Sequence, residues 1–148
     1  MTDISTLGAL RILQSADSFR ARLAGDFSSV HGISVNEFFL LMHLDKAEMQ
    51  RLPRVELAKR TYVSASTITR TVAPMEKIGL LARQSDARDA RLAFVVLTDA
   101  GATKLAEAKA TFAKHAQAVF QDRWTEEEQD QLASLLHRLV MTSPANLT

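Results

Sequence analysis

Between Pro53 and Thr98 the hydrophobic period of the chain switches from helical to strand-like, and this succession limits the fold more than any other feature. "RVELAKRT" and "ASTITRTVAPMEKIG" carry apolar residues at helical spacing. Pro53 suits the first turn of the earlier helix, and Ser64 is placed to cap the later one. The later helix would turn Ile68, Val72 and Met75 inward and end at Gly79. Pro74 interrupts it by removing the bond to the Arg70 carbonyl, so a kink is predicted there. "LLARQ" and "RLAFVVLT" then read as two strands joined by the polar turn "DARDAR". A short helix, a tight turn, a second helix and a β-hairpin together make a winged helix-turn-helix.

The flanks are helical. Ile12, Ala16, Phe19, Leu23, Phe27 and Val30 form one stripe on a long first helix closed by Gly32. Ser34 and Glu37 form a capping box for "VNEFFLLMHL", which is apolar on nearly every side and therefore central. "DKAEMQR" is a polar link. Beyond the hairpin, Thr98 caps a helix with Leu105, Ala108, Phe112, Ala116 and Val119 on one face. Thr125 and Glu128 open a last helix, with Leu132, Leu135, Leu136, Leu139 and Val140 inward and a frayed tail after it. The expected class is mainly α with a small β-hairpin wing (α+β). It divides into an N-terminal dimerisation helix at 1–33, a DNA-binding winged unit at 34–98 and C-terminal dimerisation helices at 99–148. The terminal stripes exceed what one small winged domain covers, so burial between two copies is the expected solution.

The net charge of +1 hides an uneven distribution. From Arg51 to Arg91 there are nine Lys/Arg against four Asp/Glu, while both flanks are acidic. Concentrated basic charge is the footprint of nucleic-acid binding, although a solvated basic face has the same composition. Ser66, Thr67, Thr69, Arg70 and Ala73 would face outward on the second helix. Small hydroxyl side chains allow close approach to a duplex, and Arg70 can reach guanine O6/N7 or a phosphate. Taken alone, Ser64 and its neighbours would be read as a cap and Arg70 as solvated; the basic hairpin beside them favours DNA. Arg88, near the hairpin tip, suits a narrow minor groove. Asp86 would pair with an arginine and aim Arg88, and Asp89 with Arg91 would stiffen the turn. The plain alternative is an exposed ion-pair hairpin worth under ~1 kcal/mol.

Other classes find little support. Cysteine is absent, which excludes disulfides, thiolate metal sites and thiol redox sensing. His31, His43, His115 and His137 show no ligand pair at helical spacing, so neither a metal nor a cofactor is expected. No glycine-rich phosphate loop or nucleophile–base pair supports an enzyme. No apolar run approaches the ~18–20 residues of a membrane span. "MTDISTLGAL" lacks the marks of a signal peptide, so a cytoplasmic protein is expected. Phe19, Phe38, Met42 and His43 are candidates for lining a ligand cavity, with ordinary core as the bland reading.

The segment "LAKRTYVSASTITRTVAPMEKIGLLARQSDARDARLAFVVLTDAG" resembles the multiple-antibiotic-resistance regulator (MarR) family of transcription factors. The likeness rests on the Ser/Thr-rich helix, "MEKIGLL", the D-x-R wing and "VVLTDAG" before a long helix, and the helix order extends it over almost the whole chain. The resemblance implies a homodimer joined by the first helix and the last two, bound to an inverted-repeat operator in double-stranded DNA. It implies a repressor more often than an activator, commonly released by a small aromatic or phenolic effector. It makes Ser66, Thr69 and Arg70 major-groove contacts, Arg88 the minor-groove arginine and Asp86 its supporting acid; Ser64, Thr67 and Arg91 complete the expected DNA surface. The missing cysteine sets the chain apart from the peroxide-sensing branch, and Pro74 replaces an ordinary helix former. The rival from another class is a winged-helix protein–protein module without DNA binding.

Overall fold

The first helix starts where Asp3 accepts hydrogen bonds from the amides of Ser5 at 2.9 Å and Thr6 at 3.1 Å. In a computed structural model of the chain, which describes residues 1–89 and 91–148, α1 runs Ile4–Asp26. It does not continue as one α-helix to Gly32. A single π turn, Phe27–His31, intervenes before Gly32 closes it with φ 65°. The wider turn rotates the positions after it, so Leu23 and Phe27 are buried while Val30 leaves the predicted stripe and faces solvent.

α2 (Val35–Lys46) opens with the predicted capping box, whose two Ser34–Glu37 bonds are both 3.0 Å. It occupies the centre of the molecule. Phe38 packs 5.0 Å from Phe27 edge to face and 5.6 Å from Phe112 in a stack, and Phe19 closes on Phe112 at 5.4 Å.

The predicted polar link holds structure. A 3-10 turn (Glu48–Gln50), with Met49 and Gln50 at positive φ, leads into β1 (Arg51–Pro53). β1 pairs antiparallel with β3 (Ala93–Leu97), which pairs on its other side with β2 (Leu81–Ser85). The sheet therefore has three strands in the order β1-β3-β2, not two. Pro53 is tolerated because β1 is an edge strand, and it precedes α3 (Arg54–Thr61) instead of occupying its first turn. Ala90, inside the predicted "DARDAR" turn, lies outside the described residues.

α4 (Ala65–Lys77) follows α3 after Tyr62 turns the chain at φ 55°. Ile68, Val72 and Met75 are buried as the periodicity predicts, against a core that includes Leu57 and Leu41. The helix runs from Ala65 to Lys77 with Pro74 inside it. Pro74 lies on the exposed side within the last turn, where its own carbonyl still accepts from Ile78.

Thr98 caps α5 (Asp99–Phe120), and α6 (Glu126–Val140) begins with the predicted Thr125–Glu128 box. Leu105 and Ala108 anchor α5, but α6 buries none of its residues. Leu135, Leu136, Leu139 and Val140 are 40–62% exposed, and Leu10, Ile12 and Leu13 of α1 are also exposed. The expected inward face of α6 is thus uncovered in the single chain. At the tail, Tyr62 Oη bonds Ser143 Oγ, and Lys46 Nζ donates to the Leu147 carbonyl. Among the described residues no helix is long and apolar enough to cross a membrane.

Candidate nucleic-acid interface

The amino end of α4 gathers hydroxyl groups because its cap and first turn are Ser, Ser and Thr. Ser64 Oγ accepts from the Thr67 amide at 3.2 Å and lies 3.0 Å from Ser66 Oγ and 2.9 Å from Thr67 Oγ1. Ser64, Ser66, Thr69 and Arg70 are exposed; Thr67 is half-buried, less outward than its spacing suggested. Arg70 donates to Thr67 Oγ1 over a long 3.4 Å, which leaves most of its five N–H groups unused. Arg54 of α3 enters the same surface, donating through Nη1 to Thr69 Oγ1 at 2.9 Å. Sequence reasoning missed it, since nothing in the spacing of residues 54 and 69 signals that two crossing helices bring them together.

The wing is fixed differently from the expectation. Asp86 Oδ1 accepts from the backbone amide of Arg88 at 2.8 Å, not from an arginine side chain. Asp89 Oδ1 does the same for the Arg91 amide at 3.0 Å, with Arg91 Nε at 3.7 Å. An Asx turn from Asp86 to Arg88 therefore shapes the wing, and Asp89 holds the Arg91 amide. A bond to an amide two residues away orders few atoms, whereas an exposed ion pair immobilises two long side chains for little return. Asp86 holds the backbone that carries Arg88 and leaves its guanidinium exposed. The D-x-R spacing contained this signal. At the base of the wing, Arg51 of β1 bonds Gln84 at 2.9 Å and lies 4.3 Å over the Phe94 ring.

Of the nine central cations, three are ion-paired: Arg60 with Glu56 at 3.1 Å, Arg83 with Glu76 at 3.9 Å and Arg91 with Asp89 at 3.7 Å. Among the described residues, Arg51, Arg54, Lys59, Arg70, Lys77 and Arg88 have no carboxylate partner. The positive field of this segment is left largely uncompensated, which favours polyanions.

The candidate ligand residues are divided between the core and one surface cleft. Phe38 and His43 are buried and Met42 and Phe19 partly so, all packed in or on the core. One cleft of about 640 Å³ lies at Arg20, Ile33 and Asn36, and another of about 830 Å³ at Phe19, Arg22 and Arg123. Only Phe19 borders either. Burial, reinforced by Arg60 and Lys46, pulls the His43 pKa down to about 4. His31 Nε2 bonds Thr111 Oγ1 at 2.7 Å, and His115 Nε2 meets Asp26 at 2.8 Å. Among the described residues no group of three or more His, Cys, Asp or Glu is placed to hold a metal ion.

The model of the MarR family matches residues 33–92, the segment that runs from α2 through β2 and stops before β3. The chain is 30% identical over 105 residues to the HTH-type transcriptional repressor YetL of Bacillus subtilis (strain 168). That match covers 71% of this chain and spans 62% of the length of YetL. A probable transcriptional regulator from Pseudomonas aeruginosa superimposes with TM-score 0.71 at 27% identity, over 87% of this chain and 94% of its own. Sco3205, a MarR family transcriptional regulator from Streptomyces coelicolor solved in complex with DNA, has the same fold, with TM-score 0.79 at 24% identity, over 94% of this chain and 88% of its own.

Proposed function

We propose, from the premise that this chain belongs to the MarR family, that it is a homodimeric transcriptional regulator which binds double-stranded DNA at an inverted repeat. As a regulator it is not an enzyme, and its place is the cytoplasm, with its operator. α4 enters the major groove and the wing lies along the flanking minor groove. The observation that carries this reading is the pairing of outward hydrogen-bonding groups with uncompensated charge. Ser64, Ser66, Thr67, Thr69 and Arg70 line α4, Arg88 and Arg91 project from the wing, and Arg70 and Arg88 have no carboxylate partner among the described residues.

Residues 34–98 carry the DNA surface, and 1–33 with 99–148 join the two copies. The exposed leucines of α1 and α6 support that division, because apolar faces of this extent are removed from water most simply by a second copy. Repression is the sign we assign, as in YetL. A small aromatic effector would act by parting Phe38, Met42 and His43 from the core beside Phe19.

The test is a binding titration on the upstream region at two salt concentrations, with Arg70→Ala, Arg88→Ala and Asp86→Ala. Arg70→Ala should cost ~1–3 kcal/mol per half-site and relax preference at one symmetric position. Arg88→Ala should lower affinity and change preference only in the flanks, where A·T-rich sequence narrows the groove. Asp86→Ala should give a milder form of that defect, since it loosens the backbone under Arg88. Selective binding unaffected by Arg70→Ala and Arg88→Ala would refute the interface, and no DNA binding at all would leave a protein–protein module.

A further inference from the structure

The hydroxyl of Thr69 is exposed on α4, yet its hydrogen-bonding capacity is mostly committed inside the protein. Its oxygen lies 3.2 Å from the Ala65 carbonyl, which only accepts, so Thr69 donates its single proton there. Arg54 Nη1 is 2.9 Å away and only donates, so it occupies one of the two lone pairs. One lone pair and no proton remain for a partner outside the protein. The hydroxyls of Ser64, Ser66 and Thr67 differ, because each faces another hydroxyl and either oxygen of a pair can supply the proton.

Arg54 is not an ordinary solvated arginine either. Its Nε is buried without a hydrogen-bond partner, so the side chain is held against the protein with one donor sacrificed. That arrangement leaves Nη1 aimed at a single hydroxyl of the neighbouring helix.

We propose that Arg54 is a positioning residue that fixes Thr69 as an acceptor-only reader of the major groove, selecting a base that offers an amino group: adenine through N6 or cytosine through N4. Phosphate oxygens, guanine O6/N7 and thymine O4 are acceptors and cannot be bonded by a hydroxyl whose proton is already given to Ala65. Thr69 is therefore a specificity residue and not a backbone anchor. This inference rests on the DNA-binding reading above.

The experiment selects operators from a randomised duplex library with the full-length protein, then measures binding to single-position variants. Thr69→Val keeps the shape and removes the hydroxyl, so it identifies the base pair that residue 69 reads. At that pair the parent should discriminate about tenfold among the four base pairs, the worth of one hydrogen bond, because each pair and orientation puts its single amino group, on adenine or cytosine, at a different place in the groove. Replacing that base by its analogue without the amino group (purine for adenine, pyrimidin-2-one for cytosine) should reduce parent binding about tenfold more than it reduces binding of Thr69→Val. Arg54→Met should weaken the preference at the same pair only, and Arg54→Lys, which can still donate to the hydroxyl, should restore part of it. Far-ultraviolet circular dichroism confirms that each variant is folded.

A parent whose binding falls no further than that of Thr69→Val when the amino group of the pair read by residue 69 is removed overturns the inference. So does an Arg54→Met variant that loses affinity equally on every sequence with a shallower salt dependence, which would make Arg54 a phosphate contact. Either result leaves the DNA-binding reading standing, whereas a parent that shows no sequence-selective binding removes both.

Discussion

Gly101 lies where α5 meets the start of the wing, and replacing it with alanine should destabilise the protein even though alanine is the better helix former. A Cβ at Gly101 would stand 2.1 Å from the Leu80 carbonyl oxygen and 2.7 Å from Leu97 Cδ1. Leu97 can change rotamer, but the nearest atom belongs to the backbone. The Leu80 carbonyl would have to withdraw by about 1 Å to regain ordinary contact. That carbonyl also accepts from the Thr98 amide at 3.3 Å and lies 2.9 Å from Thr98 Oγ1, whose single proton is nearer the Gly79 carbonyl at 2.6 Å. Overpacking costs ~1–3 kcal/mol and the loosened amide bond ~1 kcal/mol, against a propensity gain of ~1 kcal/mol. A net loss of ~1–3 kcal/mol is expected. Gly25→Ala is the control, because its Cβ would meet nothing within 4 Å, and it should gain ~0.5–1 kcal/mol. Urea unfolding of parent and both variants at one protein concentration measures the difference. If Gly101→Ala unfolds at the same or a higher urea concentration than the parent, the close approach of α5 to Leu80 is wrong.

Two further outcomes follow from burial and exposure. The buried His43 imidazole has its pKa lowered from 6.5 to about 4, so the unfolded chain binds the extra proton between those values. Stability should be full above pH 6.5 and fall by up to about 3 kcal/mol towards pH 4. His43→Leu should flatten that slope, and identical pH dependence of the urea midpoint in both proteins would count against it. Leu136→Glu, on the uncovered face of α6, should give a monomeric or unfolded chain by light scattering; a parent that is itself a stable monomer at micromolar concentration would refute the dimer.

What could be read from the sequence was decided within a few residues of itself. The caps at Ser34, Ser64, Thr98 and Thr125 depend on a side chain reaching an amide three positions along, and all four bonds are present. The inward set of α4 depends only on helical period, and Ile68, Val72 and Met75 are buried. β1 escaped notice for the opposite reason. Three residues ending in proline carry no alternation to detect, and their strand character comes from Val95 and Val96, more than forty residues away. The π turn was invisible because a stripe through Phe27 looks the same whether or not the next turn widens.

The interface shows the same division at the level of single bonds. Asp86 and Arg88 are two residues apart, and the Asx turn they form is legible in their spacing, since the amide lies nearer the carboxylate than the guanidinium does. The bond between Arg54 and Thr69 was not available, because it exists only after α3 and α4 cross. A recognition helix read from its own residues shows which side chains face outward. Which of their protons and lone pairs remain for DNA is decided by neighbours from other elements, and on α4 the decisive neighbour of Thr69 is an arginine from the preceding helix.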